Sequence, residues 1–355
     1  MGNILSRNHF PVQGRTVVIT GGSRGTGLAA GRQLAEKGAN IVIVARDEDR
    51  LRQALEHIRQ GAVNPQTQRF LQIRADLTLP DESVRVIEEV TAWNSGSPPD
   101  VVWCCAGSPQ PTLFVDTPVS AFREQMDSNY FTSLYMAHAT LQSWLKRPEK
   151  AVAGEPRDVA ATAAARSSSS HHGPAPPARH LIFTASFLAL FSFTGFSPYS
   201  PPKTALRALA DTLSQEMNLY AAARPAEPRV RLHTVFPATI LTESYAAESR
   251  VKADVTKMLE AGDVGQTPEV VAARSIAGLE SGQELVTTEW LGCLVKRSVL
   301  GGSVRGGFLR ALGDWIVACV MGIVMVFVRH DMDRKVRAWG RKYGASGMKS
   351  LDKQT

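Results

Sequence analysis

The chain has 355 residues, 44% hydrophobic and 21% charged, a composition that excludes a disordered chain and suits one large domain or two small ones. Its formal net charge of +7 and pI ≈ 9.4 fit an anionic partner: a phosphorylated cofactor, a membrane surface or a nucleic acid. No basic run in the first 290 residues is interleaved with aromatics, which sets nucleic acid aside.

Four cysteines, Cys104, Cys105, Cys293 and Cys319, include one adjacent pair and no metal-ligand spacing. Neither a disulfide framework nor a metal site is expected, and reduced thiols in a cytosol-facing domain are the simplest reading. The first ten residues hold no long apolar run of the secretory kind. They do read M-G-x-x-x-S, with Gly2 and Ser6 at the positions of a myristoylation acceptor. That short pattern also arises by chance, and one acyl chain alone binds membrane weakly.

The first apolar run, Thr16–Thr20, leads straight into Gly21-Gly22-Ser23-Arg24-Gly25-Thr26-Gly27, and helical periodicity follows over 26–38. The pattern T-G-x-x-x-G-x-G between strand and helix is a dinucleotide cradle. Glycine lets the backbone approach a pyrophosphate, and the helix N-terminus offers it free N–H groups. Gly21, Ser23, Arg24, Gly25 and Gly27 are the candidate contacts. A second strand, Ile41–Ala45, ends on Arg46, with Asp47 next and Arg50 one turn into a helix over 48–60. An NAD enzyme usually places an acid here for the ribose 2′-OH, whereas guanidinium groups suit a 2′-phosphate. Arg46 and Arg50, with Arg24, therefore predict NADP(H). The bland alternative is a solvated charged face shared with Asp47, Glu48 and Asp49.

A third run, Phe70–Ile73, precedes Asp76-Leu77, where a carboxylate can accept from the adenine amino group, and a helix over 81–93. The fourth, Val101–Cys105, opens onto Ala106-Gly107, small enough to admit the cofactor, and a long helix over 119–146 carries Asn129. Residues 148–179 break the rhythm with prolines, an alanine run, Ser167–Ser170 and His171-His172. Such a segment cannot bury a core and is expected to be a disordered surface insertion. Strands at Leu181–Thr184 and Val230–Val235 flank a helix over 200–222. Nearly continuous apolar strands alternating with helices predict an α/β, Rossmann-type doubly wound parallel sheet with helices on both faces. The domain is expected over 12–290, after an extension at 1–11 and before a tail at 291–355.

Tyr199 and Lys203 are four apart and share one helix face. A phenol is a weak acid at neutral pH, and a nearby cation is expected to lower its pKa so that it can protonate a forming alkoxide. Lys203 can also hold the nicotinamide ribose. Ser186, at the end of strand five, can bond the carbonyl oxygen, and Asn129 can order a water that relays protons to Lys203. Taken singly, each has a plain reading: an interface tyrosine, a strand-end serine, a helix-surface asparagine.

In the tail, Trp315–Val328 carries no charge, and extended back to Phe308 the segment includes Arg310 and Asp314. That length could reach across about 30 Å of hydrocarbon. The basic residues after it, from Arg329 to Lys342, favour a cytosolic C-terminus, on the same side as the catalytic domain, which argues against one simple span. Membrane association is expected; a span, a re-entrant helix and an in-plane helix all remain open, beside a plain core helix.

Taken together, these residues resemble the short-chain dehydrogenase/reductase family over about 12–290: TGGSRGTG at 20–27, Asp76, CAG at 105–107, Asn129, Ser186, YSPPK at 199–203 and PATILT at 237–242. The resemblance implies a tetrad of Asn129, Ser186, Tyr199 and Lys203, with Ile240 and Thr242 at the nicotinamide carboxamide. It also admits a homo-oligomer formed through the long helices. The opening segment, ANIVIVARDEDRL, CCAG and the apolar tail are similar to the fungal 3-ketodihydrosphingosine reductases. That narrower resemblance implies NADPH-dependent reduction of 3-dehydrosphinganine to sphinganine at the cytosolic face of the endoplasmic reticulum. The alternatives are a membrane-bound reductase of a steroid, retinoid or fatty-acyl ketone, and a non-catalytic NADP-binding scaffold. The chain departs from the family pattern in the insertion, in Ala238 for a usual glycine, and in Pro201 and Pro202. Proline is tolerated only in a helix's first turn, so Tyr199 must open its helix.

Overall fold

Aliphatic and β-branched runs pair into β1 (Thr16–Thr20), β2 (Asn40–Ala45), β3 (Phe70–Arg74), β4 (Val101–Cys104), β5 (Arg179–Thr184), β6 (Val230–Phe236) and β7 (Leu285–Thr287). The computed structural model describes residues 8–145, 176–299 and 308–349. The Gly2–Ser6 motif and residues 148–175 of the expected insertion lie outside these. β5 begins at Arg179, so the last residue of that expected insertion is in the sheet, in register with Val230.

The sheet is wholly parallel, in the order β3-β2-β1-β4-β5-β6-β7. Successive side chains alternate between two apolar layers, as the pleat requires. Val17, Ile19, Ile41, Ile43 and Trp103 enter one layer; Val18, Val42, Val44, Val102 and Phe183 enter the other. The first layer is closed by α1 (Gly25–Ala35) and α2 (Glu48–Arg59). The second is closed by α3 (Pro80–Trp93), by α5 (Thr132–Trp144), which follows α4 (Val119–Met126) in the chain, and by α6 (Ser200–Ala223).

The helix expected over 119–146 is interrupted. Asp127–Phe131 forms a π-helical turn between α4 and α5, and Asn129 sits within it. A π turn inserts one extra residue and re-aims the side chains around it. α6 begins at Ser200, with Tyr199 as its N-cap residue and both prolines in the first turn, where no backbone donor is lost.

Beyond β6 lie elements with weaker sequence signals: α7 (Glu243–Val251), α8 (Asp254–Leu259), α9 (Pro268–Glu280) and α10 (Trp290–Ser298). α9 completes the first apolar layer through Ala272, Ile276 and Leu279. α10 lies past residue 290, and its Val295 is buried with Phe236 and Leu285. At the other end, Phe10 is fully buried and stacks edge-on against His180 at 4.9 Å. The last helix, α11, runs over Phe308–Tyr343.

Candidate active site

The crossovers reverse direction between β1 and β4, and a cavity of about 1980 Å³ opens at the strand ends there. Gly21, Ser23, Arg24, Gly25 and Gly27 line it from the first loop, Arg46 and Arg50 from the second, and Asp76 and Leu77 from the third. Ala106, Gly107, Ser186, Tyr199, Lys203, Ile240 and Thr242 line the same cavity. Asn129 is the exception: it is fully buried behind the wall.

The first loop has the shape of a phosphate cradle. Gly21 has φ +66°, and a Cβ there would stand 2.9 Å from the backbone of Ala106. The Thr20 hydroxyl accepts from Cys105 N and Ala106 N at 3.2 and 3.3 Å, tying the loop after β4 to β1. α1 starts at Gly25 without a side-chain cap, so its first N–H groups face the cavity mouth uncapped. Asp76 accepts from Thr78 N and Oγ1 through Oδ1, at 3.1 and 2.8 Å, and Oδ2 has no partner among the described residues. A second donor, such as an aromatic amine, fits that oxygen.

Arg50 is engaged by Asp47 at 3.4 Å and Glu243 at 3.5 Å, so part of the solvated-face reading is realised. Asp47 itself caps α2, accepting from Arg50 N at 3.0 Å, and that commitment competes with any ribose contact. Arg24 and Arg46 are exposed at the cavity and form no ion pair among the described residues. These two guanidinium groups fit a phosphate dianion.

Ser186 lies just past β5 and caps a short 3-10 turn; its Oγ accepts from Leu188 N at 3.2 Å, which leaves its proton for the Tyr199 oxygen. Burial pushes the Tyr199 phenol above its ordinary value; the Ser186 hydrogen bond pulls it down and the charge of Glu248 raises it again. This differs from the expected lowering by Lys203. The ammonium instead donates to Thr184 O at 2.9 Å and lies 5.7 Å from the centre of the Tyr199 ring. Burial lowers Lys203 to about 8, against an opposing pull from Cys105. The phenol therefore holds its proton, beside a lysine poised near neutrality.

Asn129 is committed to the backbone. Its Oδ1 accepts from Ser108 N at 3.1 Å, and its Nδ2 donates to Ser108 O at 3.0 Å and to Gln125 Oε1 at 3.1 Å. Gly107 (φ +147°) makes room for this clamp, since a Cβ there would meet Asn129 Oδ1 at 2.5 Å and Lys203 Nζ at 3.2 Å. Thr242 caps α7, accepting from Tyr245 N at 3.1 Å, and Ile240 bridges to Gln266.

Sequence reasoning missed several neighbours. Glu248 and Glu260 line the cavity and share Lys252, at 3.0 and 2.6 Å. Burial raises both carboxyls and opposes the charge on Lys252, but the two acids hold that ammonium charged. The i, i+4 spacing of Glu248 and Lys252 was the available signal. A row of rings also leaves the site: Tyr199–Phe196 at 6.3 Å, Phe196–Phe193 at 5.3 Å and Phe193–Phe191 at 6.4 Å. Its signal is the aromatic density between Ser186 and Tyr199.

The family model for short chain dehydrogenase matches residues 15–153. A 3-ketodihydrosphingosine reductase of Aspergillus fumigatus is 47% identical over 97% of this chain and 89% of its own length. A protein of the same description from Neurospora crassa is 41% identical, over 97% and 87%. Among solved structures, a short-chain type dehydrogenase/reductase from Mycobacterium ulcerans superposes with a TM-score of 0.59 at 21% identity, covering 78% of this chain and 89% of that one. L-sorbose reductase from Gluconobacter frateurii, complexed with NADPH and L-sorbose, does so with 0.56 at 19%, covering 79% and 96%. At such identities the structures bear on the fold.

Proposed function

We propose that this chain, which belongs to the short-chain dehydrogenase family, reduces the ketone of 3-dehydrosphinganine to the alcohol of sphinganine with NADPH. The observation that carries the chemistry is the hydroxyl pair Ser186–Tyr199 beside Lys203, at the end of a cavity that begins in a phosphate cradle. When bound, the nicotinamide supplies hydride to the ketone carbon. Ser186 turns its hydroxyl proton to the ketone oxygen and fixes its direction. Tyr199 releases its phenolic proton to that oxygen as negative charge gathers there. Lys203 stabilises the phenolate left behind and carries a proton back toward it. Asn129 holds the Gly107–Ser108 backbone against Lys203 and keeps this geometry.

Cofactor choice rests on Arg46 and Arg24, which would meet the 2′-phosphate with no ion-pairing acid among the described residues competing for them. The substrate reading draws on the relatives' names and on the cavity itself. Within their own cluster on the cavity wall, Glu248 and Glu260 share the single ammonium of Lys252, and Glu248 acts on Tyr199, which suits a substrate carrying a cation, as in a 2-amino ketone. The phenylalanine row suits an alkyl chain. The free cysteines and the proposed use of NADPH support a catalytic domain facing the cytosol, and the apolar α11 supports a membrane, which we read as that of the endoplasmic reticulum.

The test is a panel of ketones assayed with NADPH and NADH. The reading predicts conversion of 3-dehydrosphinganine to sphinganine, fastest with NADPH. Faster turnover of a steroid, retinoid or simple fatty-acyl ketone would replace the substrate, and no turnover of any ketone would favour a scaffold.

A further inference from the structure

Helix α11 has two unlike faces. The inward stripe repeats at helical spacing through Asp314, Met321, Met325, Met332 and Trp339. Asp314 pairs with Arg297 of α10 at 3.0 Å, and Trp339 is buried against Ala253 and Val255. Between them, Met321, Met325 and Met332 line the same cavity as Tyr199. The helix is thus fastened to the reductase domain over about 37 Å of its length.

Among the described residues the outward face is unpartnered. Trp315, Ile316, Ile323 and Phe327 are 66, 56, 65 and 70% exposed. The stretch Ala311–Tyr343 is long and apolar enough to cross a membrane, yet only 6% of its most apolar window is buried, so it is no core helix. Beyond Phe327 the face turns basic, with Arg334, Arg337 and Arg341. Inside, the row from Tyr199 through Phe196 and Phe193 reaches Phe191, which packs in one cluster with Met325.

A helix held end to end on a domain containing a dinucleotide cradle cannot stand across a bilayer. The domain's polar surface would have to enter the hydrocarbon with it. We propose that α11 lies in the plane of a phospholipid surface, its apolar outer half among acyl chains and its basic half over anionic headgroups. Its methionine face then walls a passage from the bilayer to Tyr199. A chain entering along it never meets water, which would cost about 0.8 kcal/mol for each exposed methylene. Unbranched methionines adapt to a flexible chain without a fixed shape. The passage rests on the substrate reading above; the orientation of the helix does not.

The test uses the full chain on phosphatidylcholine–phosphatidylserine vesicles, with a fluorescent thiol probe quenched by spin labels at known depths. Native Cys319 is exposed on the outward face and serves as one site in a Cys293→Ser background. Leu312→Cys, Phe327→Cys and Arg341→Cys, each with Cys319→Ser, provide the others. Burial pushes Cys105 up to about 12 and keeps its thiol unreactive. The proposal expects 312, 319 and 327 at one shallow depth and 341 at the headgroups. A depth difference approaching about 22 Å between 312 and 327 would mean a span and overturn it. Absence of lipid quenching at every site, with the face covered by a second copy of the chain, would overturn it too.

For the passage, Met325→Trp should lower kcat/KM about tenfold more for the long-chain amino ketone than for a short, water-soluble analogue. Equal losses overturn the passage. If the unaltered protein reduces no amino ketone, the substrate reading and the passage fall together, and the depths alone decide the helix.

Discussion

Replacing Asn129 by alanine tests whether this residue acts chiefly through structure. The side chain is fully buried and makes two bonds to Ser108, at 3.1 and 3.0 Å, and one to Gln125 Oε1. Truncation strands the Ser108 N–H and C=O and the Gln125 oxygen. An orphaned buried group costs about 1–3 kcal/mol, and Ser108 is only half-buried, so water recovers part of the loss. The expected destabilisation is about 2–4 kcal/mol, or roughly 3–7 °C in Tm for a domain of this size. The loosened Gly107–Ser108 backbone no longer fixes the loop that runs beside Lys203, so kcat should fall about 10- to 100-fold in parallel. Calorimetry and steady-state kinetics on one preparation read both quantities. A variant that melts with the wild type yet loses turnover would refute the clamp and return Asn129 to a role in proton relay alone.

Three further substitutions probe the rest of the cavity. Arg46→Ala should weaken NADPH by about tenfold and leave NADH nearly unchanged, because it removes a guanidinium that forms no ion pair among the described residues. Equal changes for the two cofactors would contradict the assignment. Glu248→Gln should raise KM for the amino ketone about tenfold and leave a desamino ketone of the same chain length unaffected; parallel losses on both would reduce Glu248 to scaffolding. The Lys203 ammonium, lowered by burial to about 8, is present below that pH and lost above it. The logarithm of kcat/KM should therefore be flat near neutrality and fall with unit slope above about pH 8. Lys203→Arg, whose guanidinium does not titrate, should remove that inflection from whatever activity it retains; an inflection that persists belongs to another group.

The fold was legible where the period of the sequence matched burial. Most of the six expected strands read as nearly continuous apolar runs because the sheet is covered on both faces; β3, with Gln72, and β6, with Arg231 and His233, are the less regular ones. β7 did not read as a strand, because Leu285–Thr287 is too short to show a period. α7 and α8 were hidden by their weak amphipathicity, and they hold their places partly through ion pairs, with Lys252 joining Glu248 to Glu260. At the site, the Tyr199-to-Lys203 spacing and the first-turn prolines made the start of α6 and the shared face of this candidate pair legible, because helix geometry follows from local sequence. The Asn129 clamp was not legible. Its π turn and its Ser108 partner arise only when α4, α5 and the loop after β4 are packed together. Glu248 was missed for the same reason, since nothing local says that α7 faces Tyr199. The state of the phenol also depended on packing: burial and Glu248 raise it, where the lone Y-x-x-x-K pattern had suggested a lowering.

The central claim is that Tyr199 protonates the ketone oxygen, and Tyr199→Phe measures it most directly. The substitution removes one hydroxyl and preserves the ring that packs beside Phe196. With NADPH and 3-dehydrosphinganine, the account predicts a loss in kcat of about 100- to 10,000-fold, with cofactor binding and Tm little changed. Sphinganine formation at the wild-type rate by the folded variant would contradict it.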